Sequence, residues 1–233
     1  MLAVQGLNTY YGRAHILADV ALEVATGEVV CLLGRNGAGK STTLKSIIGL
    51  VRPASGAIAF DGRRIDRLEP YAIARAGLGY VPEDRRIFTD LTVTENLEVG
   101  RQPARSDAPT WTPERLFALF PNLGVMRDRH GGRMSGGEQQ MLTIARTLMG
   151  NPSCLLLDEP SEGLAPVVVD QMAAAIRALK KEGLSVLLSE QNLHFAAEVS
   201  DRAYIIEKGR IRFAGTMAEL AASADVRAQY LAV

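Results

Sequence analysis

The chain is short of cysteine, has no surplus charge of either sign and carries no long apolar run. Each shortage removes a class of explanation. Only two cysteines occur among its 233 residues, Cys31 and Cys154, and both open or precede apolar runs (CLLG and CLLLDE). That placement predicts buried small hydrophobes in a reducing compartment, with no disulfide and no thiolate metal site. Lysine plus arginine equals aspartate plus glutamate at 26 each. No positive field is left to attract a polyanion, so nucleic acid is not an expected partner. The start, MLAVQGLNTYYG, lacks the basic segment and apolar stretch of a secretory signal. Nowhere do about 18 apolar residues follow one another, so the chain is expected to stay in the cytosol and not to span a membrane.

What is present suits a globular α/β domain: 47% hydrophobic and 22% charged residues. Alternation through ILADVALEV, a turn at Thr26-Gly27, the run VVCLLG and the unit GAIAFDGRRI predict a β-rich edge feeding a buried strand. From roughly Tyr71 to Gly150 the pattern turns helical, punctuated by Pro103, Pro109, Pro113 and Pro121. Then CLLLDEP, a helix from about Val167 to Lys181, SVLLSE and AYIIEKGRI alternate as in a mostly parallel sheet. The last segment, from TMAEL onward, reads as short helices that leave no room for a separate regulatory domain.

Gly34-Arg35-Asn36-Gly37-Ala38-Gly39-Lys40-Ser41, followed by Thr42, fits G-x-x-x-x-G-K-[ST] between an apolar strand and a helical pattern. Glycines let several backbone N–H groups face one phosphate chain, and the helix N-terminus adds partial positive charge. Lys40 reaches the β and γ phosphates, and Ser41 offers a hydroxyl to Mg²⁺. The plain alternative is a glycine-rich turn. Downstream, four apolar residues deliver Asp158 and Glu159 to a strand end, where Asp158 can hold Mg²⁺ through water and Glu159 can polarise a water. Standing alone, two such acids could be solvated surface. Ser135-Gly136-Gly137-Glu138 opens a helix to about Met149 with a capping box; the two glycines weaken a first turn unless backbone approaches something closely, such as a phosphate.

Here the whole chain resembles the ABC ATPases, whose signature LSGGQ has a close version in MSGGEQQ. The resemblance implies a P-loop NTPase of ABC type: a mostly parallel core sheet, an N-terminal antiparallel β subdomain and an inserted helical subdomain. As one domain over residues 1–233, the core and β subdomain would take residues 1–82 and 151–233, and the helical subdomain residues 83–150. It implies ATP with Mg²⁺, and two nucleotide-binding subunits docked head to tail, so that Ser135, Gly136, Gly137 and Glu138 serve the partner's ATP. By position, Tyr11 matches the aromatic that stacks on adenine, although a packing tyrosine explains it as well. Glu83 in GYVPEDRRIF stands where most members have a glutamine touching metal and water; it keeps a metal-binding oxygen and loses the amide donor. Gln191 replaces a histidine that contacts the γ-phosphate, and Ala165 replaces an aspartate, while His194 reads as helix surface.

The combination of VPEDRRIF, EQN and EGLAP is similar to the LivF-type ATPases of branched-chain amino acid importers, whose relatives serve amide and urea importers. That implies a heterodimer with a second ATPase, two transmembrane permease subunits, a periplasmic solute-binding protein and a place on the cytoplasmic face of a bacterial inner membrane. The segment from Glu83 to about Asn96 would receive a permease helix, with Phe88 and Leu91 as exposed anchors or as core of the helical part. Two rival expectations stand beside it: a soluble ABC ATPase without transport, and a nucleotide-sensing regulatory subunit. The transported solute need never touch this chain.

Overall fold

The computed structural model describes residues 1–106 and 108–231. The chain opens on a hairpin, β1 (Leu2–Tyr11) and β2 (Ala14–Val24), in which burial alternates along much of each strand, as a half-buried antiparallel pair requires. β3 (Val29–Leu33) is buried throughout and leads through a glycine-rich loop into α1 (Lys40–Ile47). β4 (Ser55–Phe60), β5 (Arg63–Arg64), α2 (Pro70–Ala76) and β6 (Leu78–Val81) follow. The middle of the chain holds α3 (Val93–Gly100), α4 (Pro113–Leu119), α5 (Pro121–Gly124), a 3-10 turn at Gly131–Arg133 and α6 (Gly136–Leu148). β7 (Cys154–Asp158), α7 (Pro166–Lys181), β8 (Ser185–Glu190), α8 (Leu193–Val199), β9 (Arg202–Glu207) and β10 (Arg210–Thr216) then alternate before α9 (Met217–Ala222) and α10 (Ala224–Tyr230).

Two sheets result. One has the order β2-β1-β4-β5 and is antiparallel; the other runs β10-β9-β3-β8-β7-β6 and is parallel except where β10 pairs with β9. The α/β class with an antiparallel and a mostly parallel sheet thus holds. Strand β3 explains why a continuous apolar run was needed. Val29, Cys31 and Leu33 join the core that includes α6, α7 and α8, whereas Val30 and Leu32 join the core shared with α1 and the antiparallel sheet. β7 divides in the same way, Leu155 and Leu157 to one side, Cys154 and Leu156 to the other. A strand covered on both faces cannot alternate with polar residues.

The helical reading from Tyr71 onward is corrected at one place. Leu78–Val81 is a strand, paired in parallel with β7 at the sheet edge. Four residues are too few to show a period, and only the partner strand makes them β. Both cysteines are free and buried.

Candidate functional site

The parallel register brings three strand ends together, because Leu33 pairs with Glu190 and Asp158 with Ser189. Gly34 continues from β3, and its N–H donates to the Glu190 carbonyl (3.2 Å). A Cβ on Gly34 would lie 2.5 Å from the Ile206 carbonyl oxygen, so only glycine fits there. Gly37 and Gly39 have φ of 75° and 114°, the region that favours glycine. The loop they allow starts α1 at Lys40 with no side-chain cap and no acid in the first turn. Its leading N–H groups are therefore suited to an anion. Arg35, Asn36 and Gly37 are exposed on the loop, Ala38 and Thr42 are buried, and Ser41 is half-buried.

Lys40 is only 3% exposed. Its Nζ donates to the carbonyls of Gly34 (2.9 Å) and Arg35 (3.1 Å) and lies 3.0 Å from Glu159 Oε1. The other Glu159 oxygen accepts from Gln191 Nε2 at 2.8 Å. Glu159 has a φ of 47°, uncommon for a residue with a side chain, and its N–H donates to both the carbonyl and the hydroxyl of Ser189. Burial pushes its carboxyl up, but the Lys40 and Gln191 hydrogen bonds and the lysine charge outweigh this and leave it below the ordinary value. Asp158, fully buried, accepts from Ser189 Oγ (2.7 Å) and the Tyr80 hydroxyl (3.2 Å). Burial beside Asp158 raises the Tyr80 phenol far above its usual range, so it stays a donor.

The sequence profile described as ABC transporter matches residues 17–162. BraG, the high-affinity branched-chain amino acid transport ATP-binding protein of Pseudomonas aeruginosa, is 45% identical over 231 residues, spanning 99% of both chains. The chain belongs to the ABC transporter family. It is an ATP-binding subunit and an ATPase. LptB of Haemophilus influenzae, a lipopolysaccharide export system ATP-binding protein, is 37% identical and matches 99% of this chain and 97% of its own. Among solved structures, the ADP conformation of an ATP-binding cassette of an ABC transporter has a TM-score of 0.84 at 26% identity, covering 100% of this chain and 97% of that one.

In this ABC ATPase the other motif residues lie outside the Lys40–Glu159 cluster. Glu83 follows β6 with its side chain about half exposed, 4.0 Å from Lys45 Nζ. Tyr11 ends β1 with 48% exposure, while its neighbour Tyr10 stacks on His15 at 4.2 Å. Ser135 caps α6: its N–H donates to Glu138 (2.7 Å), and the Glu138 N–H donates back to its hydroxyl (3.4 Å). Within the chain, the close approach permitted by the two glycines is to side chains. A Cβ on Gly137 would meet Val168 at 2.7 Å, and one on Gly136 would meet Arg85 at 2.7 Å. Ala165 is the N-cap of α7 and offers no side-chain cap. His194 is exposed on α8.

Four residues joined to this cluster had no role read from the sequence: Tyr80, Ser189, Glu190 and Glu162. Glu162 is raised by hydrogen bonding to, and repulsion from, Glu159. Their only signal was position at a strand end or next to a motif. The donors available to a metal are a hydroxyl and carboxylates. No cluster of three or more acidic, His or Cys ligands exists among the described residues. Such a set fits Mg²⁺, which is held by one or two carboxylates together with phosphate and water rather than by a protein cage.

Proposed function

We propose that this ABC ATPase energises uptake of branched-chain amino acids, or of a related small amide or urea solute, through partner permeases. The observation that carries the hydrolytic part is the Glu159 carboxylate held between Lys40 and Gln191 at the ends of β3, β7 and β8. Import is supported by the likeness to BraG at 45%, against 37% for LptB. The LptB likeness favours a second reading, in which the same engine drives export of a lipid-linked saccharide.

The loop from Gly34 to Ser41, with Thr42 behind it, cradles the triphosphate through its N–H groups. Lys40 then turns from Glu159 to phosphate oxygens. With the lysine gone, Glu159 loses both the hydrogen bond and the charge of Lys40 that hold it down and keeps the Gln191 bond against burial, so it becomes a better proton acceptor for the attacking water. Gln191 keeps that carboxylate oriented and has an amide to offer the γ-phosphate. Mg²⁺ arriving with ATP would be held by Ser41, Asp158 and Glu83 and would neutralise phosphate charge. Tyr11 is free to stack on the adenine.

Ser135, Gly136, Gly137 and Glu138 face the ATP of a second ATPase subunit in a head-to-tail heterodimer, and hydrolysis releases the closed pair. Residues 1–82 and 151–233 form the nucleotide core, and residues 83–150 the helical part that meets two permease subunits. A groove of about 1060 Å³ lined by Leu50, Tyr71, Phe88 and Val99, all exposed, suits a permease helix; Leu91 is partly buried and does not line it. A periplasmic binding protein delivers solute, and the chain sits on the cytoplasmic face of a bacterial inner membrane; no helix among its described residues is long and apolar enough to cross one. The test is leucine uptake and ATP hydrolysis with the complete partner set in vesicles. Uptake lost in Glu159→Gln supports the proposal; hydrolysis without leucine, urea or amide uptake favours the export reading.

A further inference from the structure

Glu190 is an anomaly in β8. It is 2% exposed, and no ion pair to a lysine, arginine or histidine is made by it among the described residues. Burial raises its carboxyl above the ordinary value in spite of the hydrogen bonds it accepts. A buried carboxylate without a cation is costly, so its contacts are informative. Oε1 accepts from the Ser161 N–H at 3.0 Å, two residues beyond Glu159. Oε2 accepts from the N–H groups of Gln191 (3.1 Å) and Asn192 (3.2 Å), where the chain turns into α8. Its main-chain oxygen takes the Gly34 N–H. One residue therefore touches the phosphate loop, the loop that carries Glu159 and the turn that carries Gln191.

We propose that Glu190 is a positioning residue for hydrolysis, a two-oxygen staple that fixes the Glu159 loop and the Gln191 turn in one mutual geometry. The proposal rests on the assignment of Glu159 as the group acting on water. Both side-chain oxygens are required, because each faces backbone N–H groups from a different loop. Glutamine has the same shape but turns an amide NH₂ towards one of those donors, so one loop is released. Aspartate keeps both oxygens and the charge but falls one methylene short. The staple reaches Glu159 by two routes, through Gln191, whose side chain holds it at 2.8 Å, and through the Ser161 N–H of its own loop.

The test uses the complete transporter with its partner ATPase and permeases, assayed for ATP binding and hydrolysis. Glu190→Gln is expected to lower kcat roughly ten- to a hundredfold, as misplacing a reacting group by about 1 Å does, with the ATP dissociation constant held within about threefold. In a Gln191→Ala background the same substitution is expected to cost clearly less than in the wild type, since the route through Gln191 is already cut and only the Ser161 contact is left to lose. Glu190→Asp is expected to recover part of the lost rate, and it carries the same comparison of kcat with affinity should Glu190→Gln not fold. An unchanged kcat, a parallel loss of binding and rate, or fully multiplicative losses in the double variant each overturn the proposal. Glu159→Gln in the same preparation separates the two ideas. Hydrolysis that survives it removes the underlying assignment, whereas its loss beside a fully active Glu190→Gln variant removes only the staple.

Discussion

Lys40 and Glu159, both buried, pair with one another, so each competes with the role proposed for the other. Lys40 Nζ is bonded to two carbonyls and a carboxylate, and in the proposed mechanism it exchanges the carboxylate for phosphate when ATP enters. Glu159→Gln removes the negative competitor without changing shape, so it is expected to bind ATP more tightly than the wild type while hydrolysing it roughly 10²–10⁴-fold more slowly. Equilibrium binding of ATP to the full chain, set beside its hydrolysis rate, checks both. The cysteines follow a simpler rule. Burial pushes the Cys154 thiol up to about 12 from an ordinary value of 9.0, and Cys31 is also raised. A raised thiol means the folded state retains its proton longer than the unfolded chain. The stability this brings is complete below the ordinary value and is lost as pH rises from there towards about 12. Native protein at pH 8 should therefore resist maleimide at both positions, with labelling by mass spectrometry appearing on unfolding.

Among the elements, α6 and α7 begin differently. α6 has a complete capping box from Ser135 and Glu138, as the spacing S-x-x-E predicted. α7 starts at Pro166 behind Ala165, whose φ of −66° and ψ of 148° are those of a capping residue with no oxygen to cap. Ala165→Asp should therefore add about 1 kcal/mol of stability, raising the midpoint of urea unfolding without changing its slope. The close packing of Gly137 on Val168 ties the two helix starts together. That contact could not be read from SGGEQ alone, because Val168 lies on a different helix whose approach angle no local pattern specifies. β6 was illegible for a related reason: LGYV is a strand only because β7 lies beside it.

At the scale of the molecule, a parallel sheet places the loops after β3, β7 and β8 at one edge, and a ligand bound there stabilises all three. ATP at about a hundred times its dissociation constant should raise folding stability by about 2.7 kcal/mol. Differential scanning fluorimetry of the full chain should show that upward shift, and Lys40→Ala should abolish it. The same edge explains why residues far apart in sequence answer to one ligand. Glu83, Tyr11 and the start of α6 lie outside the Lys40–Glu159 cluster. The roles proposed for Glu83 and Tyr11 therefore need bound nucleotide, and that proposed for the start of α6 needs a second subunit as well.

The amino-acid sequence by itself determined the element types other than β6, the doubly buried strands, the phosphate loop and the family, because each is carried by residues close together in the chain: a period, a cap, a glycine that must be glycine. Only the tertiary structure decided that Lys40 meets Glu159, that Gln191 holds the same carboxylate, that Tyr80 and Ser189 satisfy Asp158 and that Glu190 joins three loops. Those contacts depend on strand order and register, with β8 placed between β3 and β7. Strand order is set by packing two cores at once over long sequence separations, and no local run of residues encodes it.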